Sequence, residues 1–220
     1  MARPYCSAAF AGAAKTRKEI RKYSIIRFMS DVVPSRRRLS KSDLISRIRL
    51  IKGDITKQEG VDAIVSSIGV DIDSGGSLNQ ALIRAVDEKL DEFILENIFK
   101  PRPGDAFALP GMGLPVKHII YVATPVWRAG GQREDRDLLR CYRHVMQMAH
   151  RMGLKSIAFP AIGTGQGIFP PERAARLALQ GIMERQQGAL DEIRIVCTRE
   201  DVYNAFYRRL KQVGGSKIAI

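Results

Sequence analysis

Six short apolar runs, rich in β-branched residues, alternate with longer stretches of helical periodicity along most of this chain. The runs cover residues 48–55, 62–68, 106–109, 118–124, 156–162 and 193–198. Each suits a strand buried on both faces and is too short for a core helix. Between them, residues 76–99 place Leu78, Ala81, Leu82, Ala85, Val86, Leu90, Phe93 and Ile94 on one helical face. A long helix is expected over 133–152, ending at Gly153, which suits a left-handed C-terminal cap. Pro171 opens another, at a position where its missing N–H costs nothing, and 202–212 form the last. Ser77 and Gln80 are spaced as a capping box at the start of the first helix. Strands this apolar, separated by amphipathic helices, predict an α/β fold whose central sheet carries helices on both faces.

Charge divides the chain in two. Residues 1–49 hold thirteen Lys or Arg against three acids, a net +10, and the other 171 residues contribute only +3 of the total +13. The segment from 15 to 33 has the period of a short basic helix, with Ile20, Tyr23, Ile26 or Arg27 and Met29 along one side. Pro34 would end it, and residues 35–38 read as a solvated linker. Two readings of this arm stand side by side. Lys15, Arg17, Lys18, Arg21, Lys22, Arg36, Arg37 and Arg38 suit a polyanion such as RNA. Richness in Arg and Ser with few acids equally suits a mitochondrial targeting segment. The expected location is intracellular, either organellar or cytoplasmic and nuclear.

Several classes of function are disfavoured. No run of eighteen apolar residues is present to cross a membrane as a helix. Cys6, Cys141 and Cys197 lie far apart and read as thiols in a reducing compartment. His118, His144 and His150 have no metal-ligand spacing, so neither a metal nor a cofactor is expected.

Three loops fall where strands end and helices begin, the usual ligand edge of an open α/β sheet. Gly53-Asp54-Ile55-Thr56 offers a carboxylate that can accept from an exocyclic amine, or can simply cap the following turn. Residues 73–77 lead two glycines into a helix start, where unpaired amides meet an anion. The segment 163–170, with Gly163, Gly165 and Gly167 at alternate positions around Thr164, suits a loop whose amides wrap a phosphate.

Taken in order, GDIT, VDAIV, the double glycine, GLPVKHIIYVATPVW and LKSIAFPAIGTGQGIFPPERAA resemble the macro domain, the ADP-ribose-binding family. The resemblance spans residues 47–212, leaving 1–46 as the arm and 213–220 as a tail. Its 113–175 segment looks most like the macro domain fused to a variant histone. It implies a three-layer α/β/α fold around a mixed, mostly parallel sheet, and ADP-ribose or a related nucleotide diphosphate as ligand, free or on a protein. Asp54 would then meet the adenine amine, supported by the amide of Ile55. The amides of Gly75, Gly76, Ser77 and Leu78 and those of Gly163, Thr164, Gly165, Gln166, Gly167 and Ile168 would surround the diphosphate. Phe169 would shape the distal ribose pocket.

The hydrolytic members of that family carry asparagines where this chain has Ser66 and Gly69, and an acid where it has Asn79. An aromatic ring that stacks on adenine falls on Cys197, with Tyr203 as a conceivable substitute. The implied activity is therefore binding without hydrolysis. The alternative is an architectural RNA-binding subunit of a ribonucleoprotein, such as an organellar ribosome, with a vestigial pocket. Trp127 is read as packing or rim, and Met146, Met148 and Met152 as core. Arg208, Arg209 and Lys211 are assigned to solubility and the dipole of the last helix.

Overall fold

The computed structural model describes residues 26–27, 40–69, 76–86, 90, 94, 98, 100–129, 132–184 and 190–214. The arm's Lys15, Arg17, Lys18, Arg21, Lys22, Arg36, Arg37 and Arg38, together with Gly75 and Phe93, lie outside the described residues.

In chain order the elements are β1 (Ile26–Arg27), α1 (Lys41–Ser46), β2 (Ile48–Lys52), β3 (Ala63–Gly69) and α2 (Ser77–Ala85). Then come β4 (Ala106–Pro110), β5 (His118–Thr124), α3 (Gln132–Arg151), β6 (Ser156–Pro160), α4 (Pro171–Glu184), β7 (Glu192–Cys197) and α5 (Glu200–Gln212). The seven strands form one sheet in the order β1-β4-β5-β3-β6-β7-β2. The run β5-β3-β6-β7-β2 is parallel throughout, and β4 and β1 extend it antiparallel.

Alternation along each strand sends side chains to two separate cores. Ala63 and Val65 of β3, Ile120 and Val122 of β5, and Ile157 and Phe159 of β6 pack with α3, α4 and α5. The intervening Ile64, Ile68, Ile119, Tyr121 and Ala158 pack with Leu82 and Val86, and with Leu90, Ile94 and Ile98. The sheet therefore lies between two layers of helix, as expected. Met146 and Met148 are buried in the first core and Met152 lies against its edge.

Gly153 takes φ 68° and ends α3, and its amide donates to the His150 carbonyl. Four expectations need correction. Ile26–Arg27, placed on a helix, instead pairs as a strand with Ala108 and Phe107. Backbone pairing to an open sheet edge outweighs the weak local helical period there. The first strand stops at Lys52, because Gly53 and Asp54 turn the chain into a short 3-10 segment, Ile55–Lys57. The helix expected through residue 99 breaks after Ala85, where Val86 is extended at φ −108°, ψ 159°. Its capping box is also absent. Gly76 is the N-cap and makes no side-chain bond, having no side chain to offer.

Candidate functional site

The carboxyl ends of the five parallel strands open onto a cleft of about 660 Å³. Five strands at ~4.8 Å spacing give this edge a span of roughly 19 Å. Lining residues come from every strand end: Thr124 of β5 and Val126 after it, Ser67 and Gly69 of β3, and Pro160 with the loop after β6. Beyond these lie Cys197 of β7, Thr198 and Arg199 after it, and Lys52 to Ile55 at β2.

At the β2 end, Asp54 both lines the cleft and caps the turn that follows it. Its Oδ1 accepts from the Thr56 amide at 2.9 Å and the Thr56 hydroxyl at 2.8 Å. Oδ2 has no partner among the described residues, so one carboxylate oxygen is spare for a donor in the cleft. Gly53 is tied to β7 through its amide and the Cys197 carbonyl, 3.0 Å apart, so Asp54 sits beside Cys197 and Thr198.

The glycine loop is folded tightly on itself. Phe169 N donates to Gly163 O at 2.9 Å, Ile168 N to Gly165 O at 3.0 Å, and Thr164 N to Ala161 O at 3.2 Å. Gly163 takes φ +88°. A Cβ on Gly167 would fall 2.8 Å from the Gly163 carbonyl oxygen, so the loop closes only with glycine there. These bonds consume the Thr164 and Ile168 amides, which the sequence had assigned to an anion. The amides of Gly165, Gln166 and Gly167 donate to nothing among the described residues, and all three residues line the cleft. Three successive unpartnered amides on residues of the cleft wall supply donors for an anion. The start of the loop is set by Tyr142, whose buried hydroxyl accepts from Ile162 N at 3.0 Å.

Opposite this loop is the start of α2. Gly76, Ser77 and Leu78 line the cleft, and first-turn amides have no helical partner. Gln166 reaches across, so that its Oε1 would be 3.6 Å from a Cβ placed on Gly76. Two sets of amides without partners among the described residues thus belong to residues that line the same cleft.

Ile168 and Phe169 do not line it. Ile168 is 63% exposed and holds φ +47°, because the tight loop turns its side chain outward. Phe169 is buried beneath the loop, against Trp127 at 5.2 Å between ring centroids. Trp127 is packing, as expected: its amide donates to Gly167 O at 2.8 Å, and the Arg173 guanidinium lies 4.5 Å from its ring centroid.

Of the three positions that the resemblance singled out, Ser66, Gly69 and Asn79, only Gly69 lines the cleft. Ser67 and Gly69 line the cleft. Ser66, one residue away, points to the other face and is fully buried, and Asn79 is buried in α2. Ser66 Oγ and Asn79 Oδ1 have no hydrogen-bond partner among the described residues. Cys197 is on the cleft wall where a stacking ring was expected. Burial pushes its thiol up to about 12, so it stays protonated and is no nucleophile. Tyr203 does not replace that ring, because α5 turns it back against the main core while Val202 lines the cleft.

Lys52, Thr124, Val126, Thr198, Arg199 and Val202 were missed in the sequence. No glycine or periodic signal marks them. Position marks most of them, since Lys52, Thr124, Val126, Thr198 and Arg199 lie at or just past the carboxyl end of a parallel strand. Among the described residues no group of three or more His, Cys, Asp or Glu is placed to hold a metal. None of their helices is long and apolar enough to cross a membrane.

Residues 65–178 match the macro domain family. A macro domain-containing protein of Methanosarcina mazei is 36% identical over 171 residues, 77% of this chain and 90% of its own. An O-acetyl-ADP-ribose deacetylase of Salmonella typhimurium is 32% identical over 176 residues, 78% of this chain and 98% of its own. Among solved structures, the Trypanosoma brucei macrodomain in complex with ADP-ribose aligns at a TM-score of 0.65 with 30% identity. That alignment covers 82% of this chain and 75% of the other.

Proposed function

Since the chain belongs to the macro domain family, we propose that it binds ADP-ribose along this cleft and does not hydrolyse the glycosidic bond. The observation that carries the reading is the pair of free amide sets, at Ser77–Leu78 and at Gly165–Gln166–Gly167, on residues that line one cleft. They follow β3 and β6, which are neighbours inside the row of five parallel strand ends. Strand order then places the remaining parts. The adenine lies toward β7 and β2, where the spare Asp54 oxygen accepts from its amine. The distal ribose lies toward Thr124 and Val126.

The groups in the described lining support binding without hydrolysis. Asp54 is the one carboxylate among the described lining residues, and it is stationed at the adenine end, far from the ribose carbon. Asn79 is an amide and cannot act as a base. Ser66 is turned away beneath α2.

The test is calorimetric titration of ADP-ribose into the full chain and into Asp54→Ala, each checked by thermal melting. A hydrogen bond to a charged acceptor contributes ~1.5–3 kcal/mol, so Asp54→Ala weakens binding by about ten- to a hundredfold. A folded chain that shows no binding at millimolar ADP-ribose sinks the proposal. Release of ADP-ribose from a modified peptide sinks its second half. The +10 of residues 1–49 favours a second, compatible role in holding RNA. It is checked by whether RNA binding weakens steeply with salt and vanishes without the arm.

A further inference from the structure

The cleft lacks an aromatic residue among its described lining residues, so the purine at the adenine end has no ring to lie on. We infer that the guanidinium of Arg199 is the planar group that covers it. This rests on the ADP-ribose reading above.

Arg199 follows β7 and lines the cleft, one strand from Asp54 on one side and one strand from the glycine loop on the other. Its fork is held in place. Nε donates to Asp201 Oδ1 at 3.0 Å and Nη2 donates to Asp201 Oδ2. Nη1 reaches the Thr164 carbonyl at 3.2 Å, bridging the β7–α5 connection to the glycine loop. All three bonds are made by N–H groups, which point outward from the edge of the guanidinium, so they restrain the fork and leave its faces without a hydrogen bond. Guanidinium planes stack on aromatic faces, and a lysine cannot reproduce that.

The competing role for an arginine in this cleft is a charge for the diphosphate. The geometry disfavours it. The Asp201 carboxylate already offsets the charge, and three of the five donors are committed. The free amides that suit a phosphate lie on the β3 and β6 loops.

The two roles separate by substitution in the full chain, with ADP-ribose as the probe. Arg199→Ala is expected to weaken binding about tenfold, within the range for removal of a stacked group. Arg199→Lys keeps the charge without the plane and is expected to lose as much. Arg199→Tyr keeps a plane without the charge and is expected to stay within about threefold of the parent. Asp201→Asn, which loosens the fork, falls between parent and Arg199→Ala. The side chain is 58% exposed, so all four variants should melt with the parent, and melting verifies this. Binding kept by lysine and lost by tyrosine overturns the assignment in favour of charge. Binding unchanged by every substitution, or lost equally in all, also overturns it. A parent chain that binds no ADP-ribose overturns the underlying reading, and the role of Arg199 falls with it.

Discussion

Replacing Gly181 by alanine sets two effects of similar size against each other. Gly181 is buried in α4, where α4 crosses α3. In an isolated helix the change would gain ~1 kcal/mol from propensity. Here the new Cβ would lie 2.8 Å from Tyr142 Cβ, 3.1 Å from Leu139 O and 3.3 Å from Leu139 Cδ1. Comfortable carbon contacts are ~3.5–4.0 Å, and two of the obstructing atoms are tied to the α3 backbone. No rotamer change relieves them, so the helices must separate by about an ångström. Overpacking of this kind costs ~1–3 kcal/mol. We take the upper part of that range because the obstacles are rigid, giving net destabilisation of ~1–2 kcal/mol. At ~2–4 °C per kcal/mol for a domain of this size, Tm should fall by about 2–8 °C. Urea unfolding should show a lower midpoint at unchanged slope. The displaced Tyr142 also holds Ile162 at the foot of the glycine loop, so ADP-ribose affinity should fall with stability. A Gly181→Ala chain as stable as the parent, or more so, would refute the claim that close helix packing outweighs propensity here.

Two further expectations concern single residues. Burial would raise the Asp62 carboxyl, but the Lys117 ammonium and the Lys155 and Ser156 amides outweigh it and hold it below the usual 3.8. Its stabilisation is therefore full above about pH 3.8 and lost as pH falls through the lower folded value. Unfolding followed from pH 6 to 2 should show Asp62→Asn losing less stability than the parent in the acid limb, and parallel curves would refute this. Ile168 is an exposed β-branched residue at φ +47°, a conformation costing ~1–2 kcal/mol for an L-residue. Asparagine tolerates it better, so Ile168→Asn should raise stability by roughly 0.5–1 kcal/mol. A fall of that size in the melt would show that the side chain contributes more than its exposure suggests.

Most of the fold was legible because burial on both faces writes a strand as an unbroken β-branched run. Gly153 and Pro171 marked helix ends through local backbone requirements that hold in any context. Residues 26–27 were misread because nothing local distinguishes a helical turn from a strand that exists only by pairing with Ala108 and Phe107. The site was legible where it is backbone. Glycines announce Gly163 to Gly167 and the start of α2, since close amide approach demands them. It was illegible where side-chain direction decides. Ser66 and Ser67 are identical in sequence terms, yet one residue of register buries the first and opens the second to the cleft. Val202 gave no signal and Arg199 only that of its position past β7, because their direction depends on a turn that the packing of α5 fixes.

The two-residue strand β1 closes the outer side of β4, whose residues 106–109 are buried. Without it, β4 would present unpaired amides and carbonyls along an apolar strand, a template for strand addition by another copy. A chain cut at residue 47 to remove the basic arm would thus gain a tendency to aggregate that has no connection with its cleft. Part of the arm is a guard for the sheet, and solubility should be lost with residues 26–27 before any charge is counted.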